Sequence, residues 1–567
     1  MARAAKSKSG ASNHQGEEGA RSTEMLETLL RLPALITGMI RPNARQFLTS
    51  KQPSLWVLSA VIGLLVSAGA IIFREFILLV QLIWLGDATE NVASAARRIH
   101  WIWILLGPTL GGLLIGWLLE RIMPTRRAAG VADVIEARAH SGRNIELKSG
   151  LGSAVINALS LGFGASAGRE GPMVHLGATL ATSISQWINV PDWGKRTLLA
   201  CGVASAVSAS FNAPIAGVLF AHEVILGHYA KRAFIPIVIS SVAGTILTRQ
   251  WFGSEAAFSI PQFQVTSYWE FPAFAILGVV CALVAIIFQF SIIAADYVAR
   301  SITIPLWLRP AIGGLMIGTI GIFFPEILGV GYEATDQALQ GQLAIWLLLT
   351  LLVLKTAATA ITIASRFGGG VFSPSLYLGA MTGGAFGLIA AGVFPELASS
   401  QGIYSILGMG AVAAAVLGAP ISTAVMVFEL TGGYALSIAL LLTVSISVGL
   451  YQALYGRSFF QWQLELRGLN VQDGPHRFLV RTTRVTSFMT ALQEGETATL
   501  NTEDETPTLR ADTSLEQALR TFDEGGHARL RVVDNRDETV QIGWATQVGA
   551  LRTYNTVLVD TSVEEHR

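Results

Sequence analysis

Long apolar runs separated by short polar breaks dominate the chain from Leu55 to Leu454. Leu55–Leu85, Trp101–Leu119, Phe271–Ala295, Pro310–Phe324 and Leu343–Ile363 read as helices that span a membrane. Other runs are interrupted. Leu151–Ile188 is broken by glycines, and Asn212-Ala213-Pro214 divides Arg196–Phe211 from Pro214–Leu226 before Ala233–Leu247. A polar loop from Arg249 to about Tyr268 separates two halves. The second half is broken again from Gly368–Pro374 to Val393, then continues through Tyr404–Leu417, Pro420–Leu430 and Ala435–Leu454. Several of these pieces are too short to cross alone. Irregular backbone at membrane depth is tolerated only around a protein-lined cavity.

The flanks differ. Residues 1–52 are polar and Ser/Ala/Gly-rich, with Lys6, Lys8, Arg21, Arg31, Arg41 and Arg45, and Thr23–Ile40 is expected to form an amphipathic surface helix. No apolar core follows the basic start closely enough for a signal peptide. The basic bias predicts a cytoplasmic N-terminal segment, and Arg121, Arg126 and Arg127 mark a further cytoplasmic boundary. The amphipathic stretch Ala128–Asn144 follows, carrying Asp133, Glu136, Arg138 and Arg143. Residues 53–470 form the membrane domain, and residues 485–567 have the composition of a soluble domain. The expected location is the inner (cell) membrane of a bacterium, with both termini cytoplasmic.

Composition sharpens this reading. The chain is 51% hydrophobic and 14% charged, with mean hydropathy +0.51, against about 25% charged residues in soluble domains. It is an all-α polytopic membrane protein with a small α/β tail. A formal net charge of +0 suggests no nucleic-acid partner. Cys201 and Cys281 lie in apolar runs and read as small core residues. No metal-ligand spacing, Walker loop, Gly-x-Ser-x-Gly or dinucleotide fingerprint is present, so neither an enzyme nor a cofactor or metal is expected.

Candidate chemistry centres on Gly168-Arg169-Glu170-Gly171-Pro172, inside an apolar stretch. Proline fits a first helical turn because its missing N–H would have no partner there. A helix starting near Pro172 would aim free N–H groups and a positive dipole end back over the glycines, which makes an anion site. Glu170 is placed to fill that site with its own carboxylate, and a carboxylate at membrane depth points to function. The alternative is that Glu170 only caps the helix or pairs with Arg169.

The rest of the chain bears on that choice. Gly168–Pro172 followed by Leu176-Gly177-Ala178 is repeated as Gly370-Val371-Phe372-Ser373-Pro374 followed by Leu378-Gly379-Ala380. Ala213-Pro214-Ile215 is likewise repeated as Ala419-Pro420-Ile421, with Glu223 and Glu429 each nine residues after the proline. Pro172 and Pro374 lie 202 positions apart, and Pro214 and Pro420 lie 206 apart. Paired repeats with broken helices meeting at the bilayer midplane mark a transport site.

These motifs resemble the CLC family of chloride channels and proton/chloride antiporters, over about Leu55 to Gly468. Gly168–Pro172 matches that family's gating-glutamate motif, and Gly370–Pro374 matches its G-x-F-x-P motif. The resemblance implies two inverted-topology repeats and a homodimer with one anion path per subunit. It also implies gating by Glu170. The chloride or similar small anion would be held by Gly168, Arg169, Glu170, Gly171 and the N–H groups of Val371 and Phe372. Three departures stand out. The family's G-S-G-I-P motif falls on Ala128-Ala129-Gly130-Val131-Ala132, so the serine becomes Ala129. The inner tyrosine becomes Phe460. The inner glutamate of many proton-coupled members becomes Val224, as in channel-type members, with His222 and Glu223 beside it either as substitutes or as a helix-end polar cluster. The expected function is a gated chloride channel, with proton-coupled antiport as the alternative.

In the tail, Val485–Met489, a strand at Thr508–Arg510, a helix from Ser514 to Glu524, strands Leu530–Asp534 and Gln541–Ala545, and a short helix Gln547–Arg552 follow one another. This order resembles one CBS motif. The aspartate of adenine-nucleotide-binding members is missing from Thr546-Gln547-Val548-Gly549. That argues against an adenine nucleotide and for a structural role at the dimer axis.

Overall fold

A computed structural model describes residues 40–139, 145–253, 258, 267–396, 398–431, 436–469, 480, 483–492, 507–537 and 539–566. Most of the Thr23–Ile40 stretch and the end of the 128–144 stretch lie outside these residues. Among the described residues, eight helices are long and apolar enough to cross a membrane, including Gln52–Leu85, Trp101–Ile122 and Lys231–Phe252. The protein is a multi-pass integral membrane protein.

The expected breaks are where helices stop and restart. Leu147–Gly162 is followed by Glu170–Trp187, and Ile345–Ala364 by Phe372–Val393. Glu170–Trp187 begins two residues before Pro172, which still leaves the proline in the first turn, where no backbone N–H is required. The Phe372–Val393 helix is unbroken over 22 residues, so the break in the second half is confined to the segment before it. Its glycines serve packing. A Cβ on Gly379 would sit 2.2 Å from the Gly408 carbonyl oxygen, and one on Gly408 would sit 2.4 Å from that of Gly379. The first half repeats this crossing with Gly177 and Gly202, at 2.4 and 2.3 Å. Each Leu-Gly-Ala of the sequence repeat is therefore the point where its helix crosses the next.

The proline motifs also meet across the halves. Glu429 accepts from the N–H groups of Ile215 and Ala216 at 3.0 and 2.7 Å, and Glu223 accepts from those of Ile421 and Ser422 at 3.0 and 2.7 Å. Each glutamate satisfies the orphan donors at the start of the other half's short helix. After Pro214–Phe220 the backbone widens into a π turn at Ala221–Leu226, closed by Gly227 in the left-handed region. Lys231–Phe252 continues past Arg249, so the inter-half loop starts at Gly253.

The tail forms a four-stranded sheet of β1 (Thr490–Ala491), β2 (Thr508–Arg510), β3 (Arg529–Val533) and β4 (Gln541–Thr546), in the order β1-β4-β3-β2. β2 and β3 run parallel, joined by the Leu515–Gly525 helix, which Ser514 caps by accepting from the Gln517 N–H. Leu515, Ala518 and Phe522 bury its apolar face. The last helix, Gln547–His566, extends well past Arg552.

Candidate functional site

The two glycine motifs join directly. The Gly168 N–H donates to the Gly370 carbonyl at 2.7 Å, and the Gly370 N–H donates to the Gly168 carbonyl at 2.8 Å, an antiparallel bridge. A Cβ on Gly168 would lie 3.0 Å from the Ser373 nitrogen, and Gly369 has φ 138°, which side chains rarely adopt. Only glycine lets the two segments approach this closely. Just past the bridge, helices begin at Glu170 and Phe372. The N–H groups of Glu170, Gly171, Val371 and Phe372 have no hydrogen-bond partner among the described residues. Two positive helix ends therefore face one small space.

Glu170 reaches into that space and is 1% exposed. Its Oε1 accepts from Ser373 Oγ at 2.6 Å and from Tyr332 Oη at 2.9 Å, while Oε2 has no partner among the described residues. The carboxylate is held by two hydroxyls of the second half, one inside its glycine motif and one at the start of the Tyr332–Leu339 helix. Its sequence neighbour Arg169 points elsewhere. The Arg169 guanidinium pairs with Glu90 at 2.5 Å and lies 4.9 Å from the centre of the Tyr332 ring. Glu90 also pairs with Arg74 at 2.9 Å. Burial pushes the Glu90 carboxyl up, but Arg169 and Arg74 outweigh it and hold the group below its usual range.

A cavity of 310 Å³ opens on one side of Glu170. Glu170, Gly171, Val371, Phe372, Ala129 and Phe460 line it, so the structure brings these expected residues together. Its inner wall is aromatic: Phe372 packs against Phe211 and Phe220 at 5.1 and 6.1 Å between ring centres. Its mouth is ionic. Arg127 and Arg467 both pair with Asp133, at 2.5 and 3.1 Å, and Arg300 pairs with Asp296 at 2.7 Å. Burial acts upward on Asp133, yet Arg127, Arg467 and the Gly130 N–H bring its carboxyl down to about 2. Arg366 lines the same mouth, has φ 69°, and donates its backbone N–H to the Ile363 carbonyl at 3.2 Å. At Ala129 the backbone N–H already donates to Ser153 Oγ at 2.8 Å, and the Gly130 N–H donates to Asp133 at 2.8 Å. Phe460 is buried on the Phe459–Glu465 helix, whose start is fixed by a capping box of Ser458 and Gln461.

Gly168, Arg169, His222, Glu223 and Val224 do not line this cavity. Gly168 is spent on the bridge, and Arg169 on the Glu90 cluster beyond Glu170. Glu223 caps the Pro420–Thr431 helix. His222 stacks on Tyr229 at 5.5 Å, with Nδ1 3.2 Å from the His228 carbonyl, and Val224 is half-buried in the π turn. Sequence reasoning missed the Ser373 hydroxyl, although it lies within a motif, and Tyr332, whose only local signal is the turn-forming Gly329-Val330-Gly331 before it.

Residues 111–452 match the family model described as voltage gated chloride channel. A putative chloride channel protein, ClcB-like, from Ralstonia nicotianae is 34% identical over 393 residues, covering 68% of this chain and 91% of that protein. The H(+)/Cl(-) exchange transporter ClcA of Vibrio cholerae is 30% identical over 441 residues, covering 75% and 93%. In architecture the chain is similar to a slow cyanobacterial Cl-/H+ antiporter, with TM-score 0.67 at 24% identity over 75% of this chain and 100% of that one. The facing glycine motifs, the buried Glu170 and these matches converge: the protein belongs to the CLC family of chloride channels and transporters.

Proposed function

We propose that the protein is a gated chloride channel, conducting chloride or a similar small monovalent anion through one pathway in each subunit of a homodimer. The observation that carries the reading is the buried Glu170 carboxylate beside unpartnered N–H groups of two facing helices. A tethered anion and a permeant anion compete for the same donors. Glu170 is the gate, and protonation or a high permeant-anion concentration displaces it. Gly171, Val371 and Phe372 offer backbone donors, while Ala129 and Phe460 contribute shape without hydroxyls. The basic residues near Arg121–Arg127 support a cytoplasmic side for the ionic mouth of the cavity and for both termini. The tail acts as a structural piece at the dimer axis.

Passive conduction is supported by Val224, which cannot relay a proton, and by Glu223, whose carboxylate is engaged by two N–H groups. The test is chloride flux in sealed liposomes with and without a pH gradient. A chloride gradient is expected to move no protons uphill. Uphill proton movement would replace the channel reading with proton-coupled exchange, the activity named for the Vibrio cholerae relative.

A further inference from the structure

On the side of Glu170 away from the large cavity lies a small cleft of 30 Å³ lined by Arg74, Glu90, Arg169 and Tyr332. Tyr332 borders this cleft and not the large cavity, whereas Glu170 borders the large cavity and not the cleft. The two side chains stand back to back between the two spaces, joined by the 2.9 Å hydrogen bond from Tyr332 Oη to Glu170 Oε1.

The tyrosine is firmly placed. Its ring is held face-on by the Arg169 guanidinium and edge-on by Phe258, whose ring centre lies 5.6 Å away. Gly331, with φ 91°, turns the chain into the Tyr332–Leu339 helix. The fully buried Lys355 ties down the approach by donating from Nζ to the carbonyls of Ile327 and Gly329 at 3.0 and 2.9 Å. On the next residue, Glu333 accepts from the Ser94 N–H at 3.0 Å. A ring anchored this well does not follow a moving carboxylate. It can only hold it or release it.

We propose that Tyr332 is a second gating residue: its hydroxyl latches Glu170 in the closed position, and its ring is the lid between Glu170 and the outer cleft. This rests on the reading of Glu170 as the gate. Ser373 donates to the same oxygen from the other side, so the closed carboxylate has two hydroxyl donors to lose when it swings away. The latch favours the closed state only while Glu170 carries an acceptor within reach. The lid acts whether or not Glu170 is present.

The two parts separate by substitution. Chloride efflux from liposomes, per folded protein and at acid and neutral pH, is measured for Tyr332→Phe and Tyr332→Ala, alone and combined with Glu170→Ala. Tyr332→Phe removes one hydrogen bond and keeps the ring. It should raise neutral-pH efflux by about fivefold and leave acid efflux unchanged. Added to Glu170→Ala, it should change nothing, because the latch has no partner. Tyr332→Ala added to Glu170→Ala should raise efflux further, because the lid is gone. A Tyr332→Phe protein with the wild-type acid-to-neutral ratio, or with the same gain in the Glu170→Ala background, overturns the latch. No gain from Tyr332→Ala in the Glu170→Ala background overturns the lid. If Glu170→Ala alone keeps wild-type pH dependence, the gate reading itself has failed, and this result does not depend on Tyr332.

Discussion

Two of the joints between the halves of the membrane domain differ in symmetry. At the proline joint the halves exchange like for like: Glu223 caps the start of the Pro420–Thr431 helix, and Glu429 caps the start at Pro214, with matching distances. At the glycine joint the backbone is symmetric, through the Gly168–Gly370 bridge, but the side chains are not. The first half contributes the carboxylate of Glu170, and the second half answers with Phe372 at the equivalent position and the Ser373 hydroxyl beside it. A reciprocal cap has both partners satisfied and nothing to move for. A single carboxylate facing two sets of helix N–H groups, with one oxygen unpartnered among the described residues, leaves donors that another anion can take. The symmetric joint is scaffold, and the asymmetric joint is the proposed gate.

The largest effect that separates the joints is on folding. Glu429→Gln or Glu223→Gln weakens a pair of charge-assisted bonds, each bond worth about 1.5–3 kcal/mol. Both variants should give markedly less folded protein and a lower unfolding temperature, while flux per folded protein keeps its wild-type pH response. A changed pH response in Glu223→Gln with normal folding would move that residue from scaffold to mechanism. A smaller effect is expected at the anion itself. Restoring a hydroxyl with Ala129→Ser adds an interaction of about 0.5–1.5 kcal/mol, or roughly two- to tenfold in anion affinity by calorimetry, with better discrimination of chloride from nitrate. Unchanged affinity would remove position 129 from the anion path.

The smallest effect on flux is expected at the ionic mouth, where substitution acts on stability instead. The Asp133 carboxyl sits at about 2 in the folded protein against 3.8 ordinarily. A lowered carboxyl contributes stability above its ordinary value and loses it as pH falls through the folded value. Asp133→Asn should therefore cost about 2 kcal/mol at neutral pH and progressively less below the ordinary carboxylate range. The Asp133 cluster stays ionised across mildly acid conditions, so acid activation of flux should persist in Asp133→Asn. Its loss there would place the pH sensor at the mouth rather than at Glu170.

The repeat was legible because both halves solve one geometric problem with the same residues. Glycines allow backbone to pass backbone at Gly168 and Gly370, prolines open the helices, and glutamates nine residues on cap the opposite half. Such constraints act through backbone and recur wherever the geometry recurs. The extent of the second break was misread because Gly379 and its neighbours signal helix crossing as readily as helix interruption. Tyr332 left no comparable trace. Its partner Glu170 is 162 positions away, its bond is made by a side chain, and the residue 202 positions before it in the first half is Gly130, which has no side chain to match. Similarly, nothing local to Arg169 tells that its charge is taken by Glu90, outside the motif. Symmetric, backbone-driven features can be read from spacing, whereas the asymmetric side-chain contacts that individualise the gate appear only in three dimensions.

The central claim is that Glu170 moves as a charge. Glu170→Gln keeps its shape and removes that charge. Chloride flux per folded protein, compared between acid and neutral pH, is the direct measurement. The account predicts high flux at both, with the pH dependence gone. A Glu170→Gln protein that folds normally and keeps the wild-type pH dependence would contradict it.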